Sequence, residues 1–325
     1  MRKLMALVIV AAAAWGGYWF FAAHMLESRL ADFVATQRAA GWRVAYDRLN
    51  VQGFPNRLDT RAEALILSPP GGKLTWRAPV FEVNTLSYQP NHVIAVWPPV
   101  QNLATPGMDL TLKSADMRTS AVIRPVPSLP LDRANMVIEF PELLAPSWTL
   151  AADRALFAIR ALPGASARYE IGADLRGVRM PDTVAGDRLQ LRAALHLEAT
   201  LILDRPIDRH MMTGALPAPT EIELQAFHFE WNGAEIRAEG TITLDRAGRP
   251  TGELTMRVRN WRMALEQARV AGIVTAEQAG RIASALGLMA GAEALTVPLI
   301  VEAGQARLGP VPLGSAPLFR LNQRQ

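Results

Sequence analysis

RLQLRAALHLEATLILD, residues Arg188 to Asp204, is the stretch that decides the fold. Every second residue from Leu189 is apolar: Leu189, Leu191, Ala193, Leu195, Leu197, Ala199, Leu201 and Leu203. The other register is mostly polar, with Arg188, Gln190, Arg192, His196, Glu198, Thr200 and Asp204. Side chains of a β-strand change face at every residue, so this period of two predicts a strand with one apolar and one wetted face. At about 3.3 Å per residue the run implies a strand of about 50 Å, beyond the usual length of about 17–20 Å, unless a bulge or bend divides it. A compact sandwich has little use for that length, whereas a long curved sheet does. Leu189, Leu191, Leu195, Leu197, Leu201 and Leu203 are therefore candidates to line an apolar groove, the alternative being an ordinary closed core.

The same period runs through most of the chain from Trp42 onward. Leu58, Thr60, Ala62, Ala64 and Ile66 alternate with Arg57, Asp59, Arg61 and Glu63; Ala167, Tyr169, Ile171, Ala173 and Leu175 alternate with Arg168, Glu170, Asp174 and Arg176. ELQAFHFEW and AEIRAEGTITL are separated by Asn232-Gly233, and this dipeptide between alternating runs is a strong hairpin signal, since a type I′ turn needs positive φ at both central residues. A second turn at Asp245–Pro250 leads into GELTMRVRNW, making an antiparallel meander. Helical spacing returns at residues 261–272 and 275–291, where Thr275 and Gln278 form a capping box, and the strand LTVPLIVEA follows. The expected fold class is mainly β: long antiparallel strands in curved or sandwiched sheets, with an N-terminal transmembrane helix, a stalk helix and a short helical insert near the C-terminus. A Pro-rich stretch, RPVPSLP, suggests a division near Leu129, into an N-terminal β region over 42–129 and a C-terminal one over 130–325 that contains the helices.

Behind Met1, Arg2 and Lys3 lie twenty residues without a charge, Leu4 to Ala23. As a helix they span roughly 30 Å, the thickness of a hydrocarbon core. The last third carries Trp15, Tyr18, Trp19, Phe20 and Phe21, an interfacial belt rather than the small residues of a peptidase site, so an uncleaved anchor is expected. Arg2 and Lys3 keep residues 1–3 in the cytoplasm and send the remainder outward, the expectation being a single-pass inner-membrane protein with its bulk in the periplasm. Residues 24–41 continue with Leu26, Leu30, Phe33 and Val34 on one stripe and Gly41 as terminator, a stalk helix packing on the domain it carries.

The chain has 325 residues, a formal charge of +4 and no cysteine. It can bury a real core without staples; disulfides, thiol nucleophiles and Cys-ligated metals are excluded. Basic residues are spread out, without a run or an interleaving of aromatics, which argues against nucleic acid as a partner. The five histidines, His24, His92, His196, His210 and His228, show no metal-ligand spacing, and none of the hydrolase, phosphate-loop or dinucleotide motifs occurs. No catalytic, cofactor or metal residue is assigned, and no enzyme is expected. Trp76, Trp97, Trp148, Trp231 and Trp261 lie in or beside β runs and read as packing.

NVQGFPNRLD at Asn50–Asp59, KLTWRAPVFEVNTLSYQPNHVIAVWP and the C-terminal VPLIVEAGQARLGPVPLG resemble the bacterial family called domain of unknown function 2125, with Gly53-Phe54-Pro55 the most specific block. That family brings no agreed activity, so the resemblance implies no residue roles. The anchor, AEIRAEGTITLDRAGRPTGELTMRV, two helices and the closing block also look loosely like modules of AsmA-like envelope proteins, which are inner-membrane-anchored, β-rich and associated with lipid movement. The expected function is a non-enzymatic envelope protein holding or conducting lipid in an apolar groove, with the inner-membrane bilayer, an acyl-chain ligand and envelope proteins as partners. The alternatives are an anchored scaffold with a closed β core and, third, an envelope hydrolase.

Overall fold

The computed structural model describes residues 1–179, 192–212, 216–287 and 294–319. The chain forms two compact units, Met1–Val122 with Met136–Ser147, and Ile123–Asn135 with Trp148–Gln325. Both are mainly β, with all strand pairs antiparallel.

The first unit opens with α1 (Arg2–Ala39), which joins the expected span and stalk into one uninterrupted helix. It ends in a Schellman arrangement: Trp42 N donates to Gln37 O and Gly41 N to Arg38 O, with Gly41 at φ 88° where a Cβ would be strained. Next, β1 (Arg43–Ala45) and β2 (Arg48–Gln52) both pair with β3 (Arg57–Ser68), and β3 with β4 (Thr75–Leu86). β4 pairs with β5 (Gln89–Val96) along one half and β6 (Val100–Thr105) along the other. β7 (Met108–Lys113) pairs with β6, β8 (Asp116–Ile123) with β5, and, after β9 (Leu131–Glu139), β10 (Glu142–Leu144) with β7.

The alternation read along β3 holds only as far as Ala62. Ala64 sits at φ 51° and drops out of the pairing with β4, so Leu65 rather than Ala64 joins Leu58 and Ala62 on the inner face, and Ile66 moves to the other. Ala64 and Pro79 opposite it drop out together and the register with β4 is the same on both sides, so the positive φ at Ala64, not an added residue, turns Leu65 inward. Ala62, Leu65 and Ala78 form the core, with Trp76 and Phe81 packed on it. Trp76, Phe81 and Trp97 meet with ring centroids 5.0–5.4 Å apart. Both indoles are satisfied, Trp76 by Gln101 Oε1 at 2.8 Å and Trp97 by Thr119 Oγ1 at 2.9 Å, which makes this cluster packing.

One face of α1 seats on this unit. Trp19, Ala23, Leu26, Leu30 and Val34 recur at helical spacing and turn inward, with Trp19 and Ala23 buried against Leu58 and Val51. Phe33, which the sequence places on the same stripe, is exposed. Glu27 Oε1 accepts from Val51 N at 3.0 Å. Closer to the start of the helix, Trp15 Nε1 donates to Pro55 O at 2.9 Å, Tyr18 Oη to Ser87 O at 2.9 Å and Trp19 Nε1 to Arg57 O at 2.6 Å.

The second unit contains β11 (Thr149–Ala151) and a meander in which each strand pairs with the next: β12 (Arg154–Ala161), β13 (Arg168–Arg179), β14 (Arg192–Leu203), β15 (Pro219–Trp231), β16 (Ala234–Leu244), β17 (Pro250–Arg259), β18 (Ala294–Glu302), β19 (Gln305–Leu308) and β20 (Val311–Ser315). Asn232 and Gly233 both take positive φ between the paired Trp231 and Ala234, the two-residue turn expected. Two helices interrupt the meander, α2 (Trp261–Val270) and α3 (Ala276–Gly287). Ahead of α3 both halves of the capping box form: Gln278 N to Thr275 Oγ1 at 3.1 Å and Thr275 N to Gln278 Oε1 at 2.8 Å. These helices cover only one end of the sheet, where Trp261, Ile282, Leu286, Leu295, Val297 and Val311 make the core.

Candidate functional site

The strand singled out by the sequence becomes β14, described over Arg192–Leu203, and Leu189 and Leu191 lie outside the described residues. Leu195, Leu197, Ala199, Leu201 and Leu203 all point to one face. Their partners extend that face sideways: Leu195 stands between Leu175 and Phe229, Leu197 between Ala173 and Phe227, and Leu201 between Tyr169 and Ile222. Ile236 and Ala238 carry it onto β16, and Met256 and Val258 onto β17.

Two bulges keep this face in phase. On β15 Leu224 and Phe227 are three residues apart, which strict alternation would send to opposite faces. Gln225 is the extra residue, and the register shift there returns Leu224 and Ile222 to the side of Phe227 and Phe229. On β13 the shift between Leu175 and Val178 does the same. Gly177 supplies it at φ 61°, where an added Cβ would collide with the Asp153 carboxylate. Asp153 is held in turn by Arg192 and by Arg179 at 3.1 Å. Their hydrogen bonds and charge, Arg192's above all, hold its carboxyl below the ordinary carboxylate range against a contrary contribution from burial.

The depth of burial on this face is what distinguishes it. Leu175, Leu195, Leu197, Leu201, Phe227, Phe229 and Ile236 all stop half-buried, and Phe157 is exposed. Full burial is reached toward the two ends of the face, by Tyr169 at 1 % exposure and Leu203 at one end and by Val178 and Trp231, the latter at 2 %, at the other, and between them only by Ala155, Ala199 and Ala238. Between those ends the large apolar side chains are less covered than the alanines beside them, the reverse of a closed core. Among the described residues of the second unit, the only α-helices are α2 and α3, and these pack on Val258 and Met256 at one end of the sheet. The large side chains thus form an apolar surface, four strands wide, within reach of a further apolar group.

The opposite face is a ladder of ion pairs. His196 lies 3.5 Å from Asp174 Oδ2 and 3.3 Å from Glu198 Oε1, and Arg168 meets Glu223 at 2.8 Å. Glu235 accepts from Arg237 at 2.5 Å and Arg259 at 3.1 Å, with His228 Nε2 3.2 Å away. Burial pushes the Glu235 carboxyl up, and Arg237, then Arg259 and His228, outweigh it and hold it below the ordinary range. A cleft of about 610 Å³ on this side is floored by Ala158 and Gly172 and rimmed by Arg133, Arg160, Glu170 and Glu198. Both strand histidines therefore stand among carboxylates on a solvated face. No group of three or more His, Asp or Glu among the described residues is placed to hold a metal ion.

One pairing in the first unit has the makings of acid–base chemistry. His92 Nε2 lies 2.9 Å from Ser120 Oγ across β5 and β8, beside a cleft of about 510 Å³ that also exposes Arg57 and Arg118. An activated serine needs its histidine oriented through the second ring nitrogen. Among the described residues no carboxylate pairs with either nitrogen of His92.

Sequence reasoning found the β14 leucines and missed Phe227, Phe229 and Ile222. The signal was present as the three-residue step from Leu224 to Phe227, but a bulge is recognisable only once the neighbouring strand is known. No curated protein and no solved structure matches the chain. One family model does, over residues 19–317, starting at the tryptophan that ties α1 to the Gly53–Arg57 turn. The chain therefore belongs to the family described as "Uncharacterized protein conserved in bacteria (DUF2125)".

Proposed function

We propose that this protein is a non-enzymatic, single-pass inner-membrane protein whose periplasmic part holds the acyl chain of a lipid against the apolar face of β13–β16. The observation that carries the reading is the half-burial of Leu195, Leu197, Phe227 and Ile236 on one continuous face. Large apolar side chains left partly open over several strands mark a surface that takes an apolar partner. α1 supports a membrane source for that partner, being long and apolar enough to cross a bilayer, with mean hydropathy 1.8 in its most apolar window. Arg2 and Lys3 ahead of the apolar run favour a cytoplasmic start and a periplasmic body. A role in the cell envelope follows from that placement, and kinship with AsmA-like proteins belongs to the same proposal.

The test is photocrosslinking of the full chain in vesicles that contain a phospholipid with a photoactivatable acyl chain. Adducts on peptides from β14 and β15 are expected, in addition to those on α1. Adducts confined to α1 would overturn the acyl-holding role and favour an anchored scaffold.

A further inference from the structure

Taking α1 as the membrane span just proposed, we infer that the turns Gly53–Arg57 and Leu86–Tyr88 of the first unit are immersed in the leaflet farther from Arg2 and Lys3. The partner of this end of the unit is then the bilayer itself.

The geometry follows from where the turns are fixed along the helix. Leu4 to Ala23 rises about 28 Å at 1.5 Å per residue, close to the roughly 30 Å of a hydrocarbon core. Both turns are attached well inside that interval. Trp15 donates to Pro55 O, Tyr18 to Ser87 O and Trp19 to Arg57 O. The Phe54 ring stacks on Phe20 at 5.5 Å and meets Trp19 edge-on at 5.4 Å. At Gly16 an added Cβ would lie 3.8 Å from that same ring. Leu4 to Trp15 covers only about 16 Å. If the turns stopped at the membrane surface, the helix below them would cross about half the core and leave Arg2 and Lys3 in hydrocarbon, where unpaired charge is costly. With those two residues at the near surface, the turns lie below the far one.

The chemistry of the turns fits that depth. Phe54 and Tyr88, 55 % and 64 % exposed, are large and aromatic, the side-chain type that concentrates at the lipid interface. Water would satisfy the carbonyls of an exposed turn, but lipid cannot, and an unpaired carbonyl there is expensive. Pro55, Arg57 and Ser87 each have a carbonyl that takes a donor from the helix. Asn56 O takes both Ser87 N and Ser87 Oγ, at 2.9 and 3.1 Å. Ser87 itself is 1 % exposed. Arg57 pairs with Asp59 at 2.9 Å and keeps a half-exposed side chain long enough to rise toward headgroup phosphates.

The chain has no cysteine, so single cysteines can report depth without background. Asn56→Cys and Tyr88→Cys place a fluorophore on the turns and leave Phe54 in its stack. Val8→Cys reports the span itself. Met108→Cys lies at the start of β7, beside the turn at the opposite end of β4, since Thr75 pairs with Ala104, about 36 Å from Leu86 along the strand. The full chain is reconstituted in phosphatidylethanolamine–phosphatidylglycerol vesicles with acyl-chain spin labels. Expected are quenching and a blue shift at 56 and 88 comparable to those at 8, with 108 unaffected. Quenching at 8 without quenching at 56 and 88 overturns the inference and leaves the anchor standing. No quenching at 8 overturns the anchor and this inference with it. Equal quenching at 108 overturns the inference as well, since the whole unit rather than one end would then be in lipid.

Discussion

Trp19 Nε1 lies 2.6 Å from the carbonyl oxygen of Arg57, a hydrogen bond between an apolar helix and a β-turn that are 38 residues apart in the chain. It closes an arrangement in which Trp19 is buried against Leu58 and edge-on to Phe54. The substitution Trp19→Phe keeps most of the ring and removes the donor, and should cost roughly 0.5–1.5 kcal/mol. Trp19→Ala also empties the site and should cost about 3–5 kcal/mol. Chemical denaturation of the full chain in detergent measures both. A Trp19→Phe protein as stable as wild type would show that the bond contributes nothing.

Leu195 and Leu203 lie on one face of β14 but differ in burial. Leu203→Asp places a charge at a 7 % exposed position and should cost several kcal/mol, enough to unfold the second unit. Leu195→Asp, at a half-buried position open to solvent, should leave a cooperative thermal transition and abolish acyl crosslinking to β14. Unfolding by Leu195→Asp would mean that the face is a closed core.

Gln225 is the residue that restores the phase of β15. Its deletion would turn Leu224 and Ile222 to the ion-paired side and Glu221 and Glu223 to the apolar one. The deletion variant should lose its cooperative transition by circular dichroism, whereas Gln225→Ala, which keeps the bulge, should retain it. A stable deletion variant would show that the strand can be repaired in another register.

Asp153 sets a pH dependence. Its carboxyl titrates below the ordinary value of 3.8 in the folded protein because Arg192, and then Arg179, hydrogen-bond and pair with its charged form. The unfolded chain thus binds this proton at higher pH than the folded one. The stabilisation is complete above pH 3.8 and is lost as pH falls through the lower folded value. Asp153→Asn should flatten the acid limb of a thermal-denaturation series below about pH 4 and leave the slope above pH 5 unchanged. An unaltered acid limb would remove Asp153 from the account.

Several features could be read directly from the residues. The Asn232-Gly233 turn follows from the φ values that a two-residue hairpin demands, and the capping box of α3 from two side chains three residues apart. The apolar face of β14 followed from its period alone. Other features were hidden because they depend on partners far along the chain. The step at Ala64 left Ile66 on the wrong side of a reading by strict alternation. Phe227 and Phe229 joined the face only through the Gln225 bulge. Gly53-Phe54-Pro55 stood out through its family resemblance, but nothing near it in sequence indicated that its ring would stack on Phe20.

The amino-acid sequence by itself determined which segments are strands and helices, which residues on β14 share a face, and that α1 is apolar over a membrane's thickness. These are properties of short-range geometry, set by side-chain period, steric limits on φ and the rise of a helix. Only the tertiary structure decided which strands adjoin, where the bulges rephase them, how far the large apolar side chains are covered, and at what height along α1 the two turns are fixed. Those outcomes rest on pairing and packing between residues tens of positions apart. Their energies compete across the whole chain, and no local pattern records which of them wins.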